Sequence, residues 1–298
     1  MTPVRSRQRT LIIALASSLA ILVLEMIGGV WSNSLSLLSD AGHVFVDVLA
    51  IGLALLALRL TLRPVSAKRT YGWLRAEVLA SLLNGVLLML IAMSIFYTGL
   101  QRLYQPTELL PAVALIFGVI GLAANILAAV LLKRERAKGE NLNIKAAFWH
   151  VLSDTLSSVG VVASALIIWF TGWTQIDALV SMLIALFIIR GAVSLINESV
   201  GILLEATPKD VDVEALKRDL LKIPGVKKVH DVHVWTVTSG RYAMSGHVMT
   251  GSKTIQQNDA LYEKIDVLLR HTYHVDHATI QFESSLCYGK ECSIPQHI

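Results

Sequence analysis

Two stretches place a histidine four residues before an aspartate: "HVFVD" from His43 and "HVLSD" from His150. On an α-helix, residues i and i+4 stand one above the other on a single face. His43 and Asp47 therefore point the same way from one helix, and His150 and Asp154 from another. A lone HxxxD recurs by chance in soluble helices. Both of these lie inside strongly apolar sequence, where an aspartate near the bilayer centre costs about 2.5–3.5 kcal/mol and needs a partner or a water-filled cavity. Two imidazoles and two carboxylates together make a tetrahedral N2O2 donor set, and the carboxylates neutralise a divalent cation. Imidazole suits zinc and its neighbours, whereas magnesium and calcium prefer oxygen shells. The simpler alternative is a pair of interhelical His–Asp hydrogen bonds, which explains one such pair more readily than two. An imidazole ordinarily titrates near pH 6.5, so protons compete with metal for these ligands. Exposed alternately to each side of a membrane, such a site can exchange an ion for protons.

The elements that must carry these pairs are membrane helices. Of 298 residues, 54% are hydrophobic and 16% charged, with a mean hydropathy of +0.60; soluble domains are nearer a quarter charged. Apolar stretches near 10–31, 36–58, 77–99, 110–132, 147–170 and 176–197 fill the first two thirds of the chain. Each has about 20 or more mostly apolar residues, enough to cross roughly 30 Å of hydrocarbon. The first follows "RSRQR", as a signal peptide would. Its apolar run is long, ends in no small-x-small cleavage site and precedes five more, so it reads as a retained helix. His43 falls about seven residues into the second span and His150 close to the start of the fifth. The two pairs come level only if the fifth helix begins earlier, around Leu142.

Charge placement gives the orientation. Arg5, Arg7 and Arg9 precede span 1; Arg59, Arg63, Lys68, Arg69 and Arg75 lie between spans 2 and 3; Lys133, Arg134, Arg136, Lys138 and Lys145 separate spans 4 and 5. The opposite connections hold a single cation, Arg102. By the positive-inside rule both termini face the cytoplasm, in a multi-pass protein of the cell membrane, the inner one in a Gram-negative cell. The net charge of +4 and pI near 9.1 then reflect orientation in a lipid bilayer, not a nucleic-acid partner.

Composition changes at "EATPKD", which divides a six-helix membrane-spanning domain over 1–207 from a soluble segment over 208–298. "DVDVEALKRDLLKI" has helical periodicity and stops at Pro224-Gly225. "VKKVHDVHVWTV" and "RYAMSGHVMT" read as strands joined by Ser239-Gly240, "TIQQNDALYEKIDVLLRHTY" as a helix and "HATIQFE" as a third strand. The fold class expected is an α-helical membrane protein with six transmembrane helices plus a small α+β (αββαβ, ferredoxin-like) C-terminal domain in the cytoplasm. His233 and His247 lie on the paired strands, while His277 and Glu283 share strand parity. Cys287 and Cys292 sit in the tail, where cytoplasmic thiols stay reduced. They are spare thiols or, on a sharper reading, metal ligands. Asp40 lies about two helical turns before Asp47 on much the same face, where it lines a path from the outer side or is an ordinary polar helix entrance. Glu25, Asn84, Asn125 and Asp177 are polar residues in or beside spans, for which interhelical hydrogen bonding is the default.

Several motifs in order resemble the cation diffusion facilitator family, and most closely its zinc-transporting branch, from Glu25 to about Glu283. "EMIGGVWSNSLSLLSDAGHVFVD" looks like that family's span 1–2 signature, "YGWLRAEVLASLLNG" like its span 3 and "FWHVLSDTLSSVGV" like its span 5. "VHDVHVW" and "HATIQFE" resemble strands of its cytoplasmic domain. The resemblance implies a homodimeric antiporter that exports zinc in exchange for protons, with no organic cofactor and with cadmium a second substrate. Family transport ligands match His43, Asp47, His150 and Asp154 one for one. Relatives with Asp for the first His are less strict between metals. The resemblance also implies regulatory zinc at the dimer interface on His233, His247, His277 and Glu283, with Asp276 a rival to His277. The histidine-rich loop common between spans 4 and 5 is reduced here to "KRERAKGENLN".

Two other function classes compete. An intramembrane metallohydrolase needs an open metal position and a general base; the chain has no HExxH, and four matched ligands leave no vacancy. A membrane-anchored metal sensor would not need ligands buried in spans. The chain reads as a transporter and not an enzyme.

Overall fold

The computed structural model describes the backbone of residues 3–136, 142–238, 240–251 and 254–284, and side chains within these from residue 18, except 131–132 and 134–150. Cys287 and Cys292 lie outside the described residues. The chain forms two compact units. One takes residues through Leu56 together with Ser81–Ile196; the other takes Ala57–Ala80 and the chain from Asn197.

Six long helices come first: α1 (Pro3–Ser32), α2 (Leu35–Thr61), α3 (Ala76–Tyr104), α4 (Pro111–Arg136), α5 (Leu142–Thr171) and α6 (Gln175–Leu203). Among the described residues, five stretches, in α2 to α6, are long and apolar enough to cross a membrane, and α1 contributes the shorter apolar stretch Ser18–Ser32. Their surface is apolar outside as well as inside: Leu90, Leu127, Leu156 and Phe187 are all more than half exposed. Helices apolar all round belong in lipid, not in water.

Local signals fix the helix ends. Asn33, with φ 56°, closes α1, and the amide of Ser34 donates to the carbonyl of Gly29 at 3.1 Å, as in a Schellman motif. Pro111 opens α4, where its missing N–H costs nothing. Inside the bundle, Leu37, Ala92, Ile95, Val161, Ile184, Ala185 and Ile188 gather from α2, α3, α5 and α6 into one core. Helices α1 and α4 approach closely because Gly28 leaves room for Phe117. Helix α5 starts at Leu142, earlier than the apolar run suggests, because "LNIKAA" continues the helix past the hydrophobic stretch.

The second unit continues with α7 (Val213–Leu221), β1 (Val226–Thr238), β2 (Arg241–Thr250), α8 (Ile255–Tyr273) and β3 (Val275–Glu283), an αββαβ order. Asp212 caps α7 by accepting from the amides of Glu214 and Ala215, and Thr254 caps α8 by accepting from Gln257. The sheet order is β1-β2-β3, with β1 and β2 antiparallel and β2 and β3 parallel, the crossover being α8. Leu216 and Leu220 of α7 and Leu261, Ile265 and Leu269 of α8 bury against Val234, Met244, Val248 and Val275 of the sheet. Two tyrosines, buried Tyr273 and half-buried Tyr242, tie their elements to neighbouring carboxylates. The Tyr273 hydroxyl donates to Asp219 at 2.7 Å, and the Tyr242 hydroxyl donates to Asp210 at 2.8 Å. Burial, and then these carboxylate partners, push both phenols up to about 12. The Lys222 ammonium, followed by the Tyr273 hydroxyl, holds Asp219 below the ordinary carboxylate range.

The α2–α3 connection belongs to this same unit. Arg69 stacks over the Trp73 ring at 3.7 Å, and Arg75 pairs with Glu205 at 2.9 Å. Thr238 of β1 donates to Glu77 at 2.6 Å.

Candidate metal centre

One turn of α2 carries His43 and Asp47, and α5 brings Asp154 to meet them. His43 Nε2 lies 3.7 Å from Asp47 Oδ2 and 3.4 Å from Asp154 Oδ1. All three offer a ligand atom within 4.8 Å of the others. A dication placed among them would have donors at hand on several sides, with two carboxylates to balance its charge. The three side chains are between 13% and 22% exposed, so most of each is enclosed by the helices. His150 belongs to α5, one turn before Asp154, and its side chain lies outside the described residues. The early start of α5 at Leu142 is what gives Asp154 helical neighbours on both sides at this level.

A polar seam leaves this cluster between α2 and α5. On α2, Ser36, Asp40, His43 and Asp47 recur at i, i+4, i+7 and i+11, one stripe of the helix. Facing them in the opposite order on α5 are Ser164, Ser158 and Asp154. Ser158 Oγ donates to Asp40 Oδ2 at 2.9 Å and accepts from Asn125 Nδ2 of α4 at 3.0 Å. The Ser36 and Ser164 hydroxyls stand 3.3 Å apart. Asp177 of α6 ends the seam by accepting from Ser34 and Ser36. Asp40, Asn125, Ser158 and Asp177 are all buried. Asn125 and Asp177 thus make the interhelical bonds expected of polar residues in spans. Glu25 of α1 is also buried and fits against α4 only because Gly121 has no side chain: a Cβ there would sit 2.8 Å from Glu25 Oε1.

The C-terminal unit gathers a second cluster, and not the quartet expected. His230, His247 and Glu283 bring ligand atoms within 4.8 Å of one another. His247 Nδ1 lies 2.9 Å from Glu283 Oε1, and His230 Nε2 lies 3.4 Å from Glu283 Oε2. Both ring nitrogens of His230 are buried with no hydrogen-bond partner among the described residues. His233 stands at the margin, half exposed, 3.1 Å from Asp231, whose other oxygen lies 3.8 Å from His247. His277 pairs with Ala243 at the far end of β3 and meets the Tyr71 ring edge-on at 6.0 Å. Shared parity places His277 and Glu283 on one side of the strand, but six residues at about 3.3 Å each hold them roughly 20 Å apart. Asp276 is exposed and lies 4.0 Å from Arg241.

His230 was hidden from strand alternation by a bulge. A regular strand puts residues three apart on opposite faces, so choosing His233 beside His247 excludes His230. Asp231 adopts φ 52°, and the register slips there: His230 pairs with His247, yet His233 pairs with Ser245. One extra residue in β1 turns both histidines to the same side. Aspartate directly between them, in "VHDVH", was the one available signal, since Asp tolerates the left-handed region better than most residues.

Comparison with known proteins follows the same division. The family model of the cation efflux transmembrane domain matches residues 11–204, and that of the cation efflux protein cytoplasmic domain matches residues 208–285. The chain is 37% identical over 290 residues to the metal cation efflux system protein CzcD of Cupriavidus metallidurans, covering 97% of this chain and 90% of the relative. It is 38% identical over 297 residues to the zinc transporter ZitB of Escherichia coli, covering 99% and 94%. It is 35% identical over 280 residues to the cadmium, cobalt and zinc/H(+)-K(+) antiporter of Bacillus subtilis, covering 94% and 90%. With both family models matched in order and these relatives aligned almost end to end, the chain belongs to the cation efflux (cation diffusion facilitator) family, membrane transporters and not enzymes.

Proposed function

We propose that the protein is a proton-coupled antiporter that exports zinc, with cadmium a second substrate, by alternating access at a site between α2 and α5. The observation that carries this reading is the approach of His43, Asp47 and Asp154. His150, one turn before Asp154, is the fourth ligand. An ion from the cytoplasm enters between α2 and α5 and displaces protons from the imidazoles. Movement of the helices then opens the site to the other side, where protons compete for the same nitrogens and release the metal. The names of the zinc and the cadmium, cobalt and zinc relatives support this choice of substrate, and the antiporter's name supports the proton coupling.

Six helices cross the membrane, α1 among them, with both termini in the cytoplasm and residues 1–207 forming the transport domain. Residues 208–298 form a ferredoxin-like regulatory domain through which two copies associate as a homodimer. Zinc on His230, His247 and Glu283, with His233 in reach through Asp231, biases that domain toward one arrangement. Such regulation requires the metal to bind one conformation better than the other.

The test uses purified protein in liposomes with a metal-sensitive dye inside and an imposed pH gradient. Gradient-driven zinc flux that Asp154→Ala abolishes is the expected result. Flux indifferent to both Asp47→Ala and Asp154→Ala would overturn the site assignment.

A further inference from the structure

We propose that Asp177 is a positioning residue for the transport site, holding α2 in register with α5; the inference rests on the transport reading given above. The first turn of any helix leaves amide donors without intrahelical partners. In α2 the amides of Leu35 and Ser36 are taken by a side chain from another helix. Asp177 Oδ2 accepts from Leu35 N at 2.6 Å, and Asp177 Oδ1 accepts from Ser36 N at 3.2 Å. The same Oδ1 accepts the hydroxyls of Ser34 at 2.8 Å and Ser36 at 2.6 Å. Four donors on one buried carboxylate use about all the lone pairs it has. Asp177 also lies in the first turn of α6. Its negative charge therefore sits at the positive ends of two helices at once.

This node does more than close a helix end. Ser36 also reaches Ser164 of α5, so α2, α5 and α6 are joined at one point. From Ser36 the stripe on α2 leads to Asp40, bonded through Ser158 to α5, and then to His43 and Asp47. A helix that slips by one residue moves about 1.5 Å along its axis. The 3.4 Å separation of His43 and Asp154 would not survive such a slip. Asp177 thus fixes the geometry of ligands it never touches. Asparagine there is a poor substitute: it keeps one acceptor oxygen and turns two donor hydrogens toward amides that also donate.

Zinc flux into liposomes separates positioning from a role in folding alone. Fewer folded transporters lower the maximal rate and leave KM alone; displaced ligands raise KM. For Asp177→Asn the expected zinc KM rises about tenfold, the size of outer-shell effects on metal sites. An unchanged KM overturns the proposal whatever the maximal rate. Where Asp177→Asn yields no folded protein, Ser36→Ala decides, since it removes the Ser164 contact and the hydroxyl's bond to Asp177 and leaves both amides capped. Its expected KM rises by at least about threefold, since both the Ser164 contact and the hydroxyl's bond to the Asp177 carboxylate are lost, and an unchanged KM again overturns the proposal. Asp154→Ala run alongside keeps the two ideas apart. If it retains zinc flux, the transport site itself is wrong; if it loses flux while KM is unmoved in the other variants, only the positioning role falls.

Discussion

His43 Nε2 and Asp154 Oδ1 stand 3.4 Å apart although one comes from α2 and the other from α5. Each residue alone would be an expense to its helix in lipid. Together with Asp47 they form a donor set of imidazole with carboxylates, a composition that would, in the proposed transport role, select among dications by ligand softness.

In the proposed transporter, that composition would set metal choice. Replacing His43 with Asp leaves an oxygen-richer site that favours harder ions such as manganese. In His43→Asp the ratio of zinc to manganese flux is expected to fall by about tenfold, measured by competing the two ions in the same liposomes. A ratio equal to the wild type would remove His43 from the ligand set.

The C-terminal cluster depends on a backbone feature as much as on its ligands. Asp231 at φ 52° makes the bulge that brings His230 beside His247. Asn tolerates this conformation, whereas a β-branched residue is strained there. Asp231→Val is therefore expected to weaken zinc binding at this cluster well below Asp231→Asn, although both lack the carboxylate. Equilibrium dialysis of the full chain in detergent reads the difference, and equal binding would contradict the bulge's role.

How much of this was legible in the sequence differs between the two units. In the first unit, i and i+4 spacing is rigid helical geometry, so His43 and Asp47 could be placed on one face without a structure. The level of Asp154 was legible only as a condition on where α5 starts, because apolar content marks the lipid and not the end of the helix; α5 begins at Leu142. In the second unit, the element order followed from periodicity and turn residues. Its cluster of His230, His247 and Glu283 did not follow, because alternation carries no record of a bulge, and parity says which side a residue faces but not how far along the strand it lies. His277, far along β3 from Glu283, illustrates the second point, and His230 the first.

Close packing of α1 on α4 is the next test. A Cβ on Gly28 would overlap Phe117 Cγ and lie 2.9 Å from Leu37 Cδ2. Gly28→Ala should destabilise the bundle by about 1–3 kcal/mol, the usual cost of overpacking. Thermal unfolding in detergent is expected at a lower temperature. An unchanged midpoint would mean the helices separate without cost.

Tyr242 and Tyr273 give the C-terminal domain an alkaline signature. Their folded values near 12 lie above the ordinary phenol value of about 10. The neutral hydroxyls thus stabilise the fold fully below about pH 10, and that contribution disappears as pH climbs through about 12. Tyrosinate absorbance of the folded chain should show a late step near pH 12, reduced in Tyr242→Phe and again in Tyr273→Phe. A single step near pH 10 would contradict both hydrogen bonds.

The most direct measurement is X-ray absorption at the zinc edge on a His247→Ala, Glu283→Ala double variant, in which the membrane cluster is left as the ion's site. Expected is one zinc per chain with four nitrogen or oxygen neighbours at about 2.0–2.1 Å, lost when Asp154→Ala is added. Zinc absent from the double variant at saturating metal, or a zinc shell unaltered by Asp154→Ala, would contradict a transport site shared between α2 and α5.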